Sequence, residues 1–117
     1  MTTRRAPKQS EAAIQRAILH VLTAKGYWAW RVNSGATVVG EGAGRRMFRG
    51  APPGTPDIRV EAPVQGYLEV KAPGGRMSPS QLTWHEKAEK WSVNAAVVHS
   101  ASEAIAAVQR WGRLRDQ

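Results

Sequence analysis

Between Gly54 and Lys71 the chain reads Gly-Thr-Pro-Asp-Ile-Arg-Val-Glu-Ala-Pro-Val-Gln-Gly-Tyr-Leu-Glu-Val-Lys, and its ionisable residues are of the types that phosphate chemistry uses. Two short strands joined by a turn account for the stretch, with Asp57 entering the first and Glu69 and Lys71 closing the second. Successive strand side chains alternate between faces, so Glu69 and Lys71 share a face and Val70 points away. A hard cation such as Mg²⁺ takes oxygen ligands in octahedral geometry at about 2.0–2.1 Å, usually one or two carboxylates with water and substrate phosphate. Asp57 and Glu69 on neighbouring strands suit that demand. A lysine beside the cation can hold an attacking water or neutralise charge growing on phosphate oxygens. Each residue also has an ordinary reading, Asp57 as a solvated turn acid and Glu69 with Lys71 as a charged pair on an exposed strand face.

Glu11 and Gln81 bear on the same stretch from two helices. Positions 11, 14 and 18 lie on one helical stripe, so Glu11 projects from the edge of the face that Ile14 and Ile18 bury. An acid in the first turn also complements the helix dipole, by about 0.3–1 kcal/mol. Gln81 closes Ser78-Pro79-Ser80-Gln81, which reads as a capping box and equally places an amide where it can bond a water or the second strand. The two roles are compatible. His20, His85 and His99 have no spacing partner and cysteine is absent, which argues against zinc or a histidine-based nuclease motif.

These residues need strands and helices in a definite order. Residues 1–9 form a polar, basic arm, and residues 10–117 are expected to make one domain. Ser10 is an N-cap, and Ile14, Ala17, Ile18, Val21 and Leu22 mark a helix that stops at Gly26. Tyr27 to Val32 reads as a strand ending in the turn Asn33-Ser34-Gly35. Residues Gly35 to Pro53, with Arg45, Arg46 and Arg49 among glycines, read as a hairpin or loop that either connects elements or contacts DNA. After the central strands come a helix from Ser78 to about Trp91, a strand over Ala95 to His99, and a last helix from Ser102 carrying Ile105, Ala106, Val108 and Trp111. Interleaved strands and helices predict a mixed α/β sheet flanked by α-helices. Trp84 and Trp91, seven apart with Ala88 between, read as core. Trp28 and Trp30 share a strand face, and one or two of the tryptophans are alternatively a dimer surface.

Lys and Arg outnumber Asp and Glu by 17 to 9, a formal charge of +8, which points to a polyanionic partner. No apolar run approaches the roughly 20 residues of a membrane span, and no apolar signal core follows the basic N-terminus. The chain is therefore expected to be cytoplasmic, without a membrane partner.

The ordered set Glu11, Arg31-x-Asn33-Ser34-Gly35, Gly54-Thr55-Pro56-Asp57, Glu69-Val70-Lys71 and Ser78-Pro79-Ser80-Gln81 resembles the VRR-NUC nucleases of the PD-(D/E)xK superfamily. The resemblance runs from Glu11 through the last helix and implies a restriction endonuclease-like core. It implies a phosphodiesterase dependent on Mg²⁺ or Mn²⁺, in which Asp57 and Glu69 bind metal with help from Glu11 and the backbone carbonyl of Val70. Lys71 would be the catalytic lysine and Gln81 a supporting site residue. Arg31 and Asn33 match motif positions, and with Ser34 are candidate DNA contacts beside Arg45, Arg46 and Arg49. The short, stand-alone members resemble phage or bacterial enzymes that act on branched DNA, such as Holliday junctions, as homodimers. The competing reading is a basic nucleic-acid-binding module without catalysis, and a third is an adaptor in a replication or recombination complex.

Overall fold

In this computed structural model the described residues are 9–32, 36–39 and 46–116, with 36–39 and 46–49 described by their backbone alone. The first helix, α1 (Glu11–Ala24), begins where the Ser10 hydroxyl accepts the Ala13 N–H at 3.1 Å. It turns Ile14, Gln15, Ile18 and Leu22 inward, and the chain leaves it through Gly26 at φ +88°. That left-handed conformation is one glycine adopts without strain. The strand β1 (Trp28–Arg31) follows.

Strands β2 (Ala36–Val39) and β3 (Arg46–Arg49) pair antiparallel, so the glycine- and arginine-rich stretch does contain a hairpin. Asn33, Ser34 and Arg45 lie outside the described residues, as does nearly all of the basic arm. Strands β4 (Ile58–Ala62) and β5 (Gly66–Val70) pair antiparallel, and α2 (Pro79–Lys90) then carries the chain over to β6 (Ala95–Val98), which pairs with β5 in parallel. A parallel neighbour requires such a crossover. The last helix is α3 (Ala101–Arg115). The larger sheet has the order β1-β4-β5-β6, a mixed sheet flanked by helices.

The sheet has two chemically different faces. Ile58, Val60, Leu68, Val70 and Val98 pack with Ile14, Ile18 and Leu22 of α1 and Ala104, Ala107, Val108 and Trp111 of α3. Each fully buried large aliphatic contributes about 1.5–3 kcal/mol relative to an exposed one. Alternation sends Asp57, Arg59, Tyr67, Glu69 and Lys71 to the other face, where Trp84 of α2 meets the Tyr67 ring edge-on at 4.9 Å. At the far end of the sheet, Trp111 packs so closely that a Cβ on Gly66 would lie 2.4 Å from its ring. Only glycine fits there.

Three expectations need correction. Trp91 is not core: α2 ends at Lys90, Trp91 is its C-cap, and its indole is 69 % exposed with the Lys90 ammonium 5.5 Å from the ring centre. The last helix starts at Ala101, because Ser100, and not Ser102, caps it by accepting the Glu103 N–H at 3.2 Å. Within it Ala106 is exposed, and the inward stripe runs Ala104, Ala107, Val108 and Trp111.

Candidate active site

The register of β4 and β5 pairs Ile58 with Leu68 and Arg59 with Tyr67. One residue further along, Asp57 comes opposite Glu69. The Val70 N–H donates to Oδ2 of Asp57 at 2.8 Å, so the aspartate reaches across to the strand that carries Glu69 and Lys71. The Asp57 carbonyl in turn accepts the Val32 N–H at 2.8 Å, extending the join to β1 beyond its last paired residue. Main chain on both sides therefore fixes where Asp57 sits.

Glu69 is 1 % exposed and Lys71 8 %, unusual burial for ionisable side chains. Oε1 of Glu69 is buried without a hydrogen-bond partner. Burial pushes the Glu69 carboxyl up to about 9, helped by a hydrogen bond to Asp57 and by repulsion from the Asp57 charge. Lys71 pulls the other way, and Glu11 adds a smaller repulsion. Glu69 thus feels the charges of Asp57, Lys71 and Glu11 at one end of the sheet. A buried oxygen with no donor is costly, and a cation is one group that would satisfy it.

Among the described residues no group of three or more His, Asp or Glu side chains could by itself hold a metal. Asp57 and Glu69 form a two-carboxylate set, which suits Mg²⁺ or Mn²⁺ with water and phosphate completing the shell. Glu11 is exposed at the start of α1 and close enough only to perturb Glu69.

Gln81 is the capping glutamine of α2: its Oε1 accepts the Ser78 N–H at 2.8 Å while its own N–H donates to Ser78 Oγ at 3.2 Å. Its amide nitrogen is not used by the cap. The Gly-Thr-Pro-Asp loop sits directly on this turn, since a Cβ on Gly54 would lie 2.1 Å from the Ser80 carbonyl oxygen. The loop that delivers Asp57 and the helix that carries Gln81 are therefore packed as one unit.

Arg31 turns away from this face. Its Nε donates to Oε1 of Gln15 at 3.1 Å, linking β1 to α1. Gln15 is a buried polar residue that periodicity alone passes over, although a glutamine inside an apolar helical stripe is a signal of such a partner. The histidines play no part at the carboxylates: His85 lies edge-on to Trp84 at 5.2 Å, His99 meets Glu103 at 3.2 Å, and His20 is exposed. Burial lowers the His85 pKa from its ordinary value.

The family model of the VRR-NUC domain matches residues 9–102, from the residue before the Ser10 cap to the first turn of α3. No curated protein and no solved structure matches the chain.

Proposed function

The chain belongs to the VRR-NUC family and carries its nuclease domain on an α/β, restriction endonuclease-like fold, and from that premise we propose a divalent-metal-dependent endonuclease that cuts branched DNA. The observation that carries the proposal is the buried Glu69, with one carboxylate oxygen unsatisfied, opposite an Asp57 held by main chain and beside a buried Lys71. In this reading Asp57 and Glu69 hold Mg²⁺ or Mn²⁺, with the Val70 carbonyl and, through water, Glu11. The bound cation would supply Lewis-acid stabilisation of charge on the phosphoryl group.

The chain's own residues do the rest. Val70 keeps Asp57 aimed at the site. Lys71, with little water around it, donates to the attacking water or to a phosphate oxygen as negative charge grows there, and its field is stronger for being partly desolvated. Gln81, on the turn against which the Asp57 loop packs, would offer its free amide hydrogens to the phosphate. One such site cuts one strand, so paired cuts across a junction call for two copies, a homodimer being the simplest arrangement. Asn33, Ser34, Arg45, Arg46 and Arg49 are the proposed DNA contacts, Arg31 being held against Gln15 instead, and a phage or bacterial cytoplasm is the proposed setting.

The test is cleavage of labelled four-way junction, duplex and single strand in Mg²⁺, Mn²⁺ or chelator. Junction cutting should need the metal and should be lost in Lys71→Ala. Cutting that persists in chelator, or in that variant, overturns the mechanism. A chain that binds the junction and cuts nothing in either metal is the non-catalytic binding module.

A further inference from the structure

Alongside the carboxylates, on the same sheet face, lies a row of flat side chains. Trp30 of β1 pairs with Arg59 of β4, and Arg59 pairs with Tyr67 of β5. Trp84 of α2 stands over Tyr67, and the Arg59 guanidinium lies 4.8 Å from the Tyr67 ring centre. With Val32 and Pro52 these side chains line a cleft of about 460 Å³. That volume lies in the ordinary range for small organic ligands, about 300–1,000 Å³. The row is two residues along each strand from Asp57 and Glu69, a separation of about 6.6–6.8 Å.

We propose that this cleft takes an unpaired nucleobase next to the scissile phosphate, so that the nuclease requires a single-stranded or frayed nucleotide beside its cut. The proposal rests on the reading of Asp57 and Glu69 as the hydrolytic site. Ring faces of bases are covered by their neighbours inside a duplex and become available only where a nucleotide is unpaired or extruded. Aromatic side chains and arginine planes stack on such faces without regard to sequence. Arg59 suits this use and not that of a phosphate anchor. Its Nε and Nη2 are both engaged with Glu61, at 3.1 and 3.0 Å, which offsets its charge and fixes the plane of the guanidinium. The chain's net charge of +8 draws the DNA backbone to the protein, and the cleft gives one of its bases a place to stack.

Tyr67 and Trp84 also seat α2 on the sheet. Trp30 does not share that duty: it is 40 % exposed, on the edge strand, with Trp28 as its aromatic neighbour at 5.3 Å. It is therefore the residue to change.

The experiment uses the full chain in chelator, with a blunt duplex and the same duplex carrying a short unpaired tail that contains 2-aminopurine. Wild type should bind the tailed DNA more tightly and quench the analogue. Trp30→Ala should weaken tailed-DNA binding by about tenfold, the scale of losing one stacked base, and abolish the quench, with blunt-duplex affinity held within about twofold. Trp30→Phe should restore both, and all three proteins should melt at similar temperatures. Equal loss on both DNAs, or no change on either, overturns the stacking cleft. Failure of the hydrolytic reading looks different: no DNA is cut in metal, whatever Trp30 does.

Discussion

The main-chain N–H of Val70 donates to the side chain of Asp57 over 2.8 Å, so the strand bearing Glu69 orients the acid opposite it. Asp57→Asn preserves an oxygen for that bond and removes the negative charge. Its melting temperature should stay near wild type while junction cleavage falls by about 100-fold or more. Junction affinity should hold or rise slightly, because a charge repelling phosphate is gone. Asp57→Ala should lose cleavage too and, with the Val70 N–H unpaired, about 1–3 kcal/mol of stability. Thermal and denaturant melts beside gel-shift and cleavage assays read all four quantities.

Glu69 makes stability depend on pH. Its carboxyl sits near 9 in the folded chain against 4.5 as its ordinary value, so between those pH values the folded state holds a proton that the unfolded state has released. Stability is then greatest below about pH 4.5 for this group and falls as pH rises through that window, by at most about 1.4 kcal/mol per pH unit. Melts in chelator from pH 5 to 9 should show this decline. Glu69→Gln should flatten it and melt higher at neutral pH, and an unchanged slope in that variant would remove Glu69 as the cause.

Gly54→Ala should cost more than Gly74→Ala, although both residues sit at φ +83°. The added methyl at Gly74 meets open space, whereas at Gly54 it meets the Ser80 carbonyl at 2.1 Å. Backbone strain alone costs roughly 1 kcal/mol, and the excess at Gly54 measures how firmly the loop is seated on α2. Cleavage should fall with the Gly54 change alone, since only that loop leads into Asp57.

Gln81→Glu separates cap from chemistry. Glutamate keeps the capping box and α2's stability within about 0.5 kcal/mol, whereas Gln81→Ala loses it at about 1 kcal/mol. If the amide hydrogens matter at the phosphate, both variants should lose turnover to a similar extent. Full activity in Gln81→Glu would leave the residue as a cap.

Much of this arrangement was legible because strand periodicity is rigid. The alternation from Ile58 to Ala62 and from Tyr67 to Lys71 fixes which residues face the core, and Ser10 and Ser78 declare the starts of their helices. The pairing of β4 with β5 put Asp57 opposite Glu69, as a short turn between two strands demands. Trp91 misled because a seven-residue spacing says nothing about whether the helix still continues at its second member. The link from Arg31 to Gln15 was hidden for another reason: polar partners sixteen residues apart leave no periodic trace. The row from Trp30 to Trp84 draws on three strands and a helix, so only the assembled sheet reveals it.

The alternation that gives this sheet one apolar and one reactive face also ties folding to turnover. Moving β4 or β5 by a single residue would exchange the two faces, sending Asp57, Glu69 and Lys71 into the apolar interior and Ile58, Leu68 and Val70 out of it. A one-codon insertion or deletion inside either strand must therefore be absorbed as a bulge, as β4 already absorbs one residue opposite Trp28 and Ala29, or it exchanges the two faces. Substitution in these strands divides by parity: even positions set how the core packs, and odd positions carry the side chains of the proposed site.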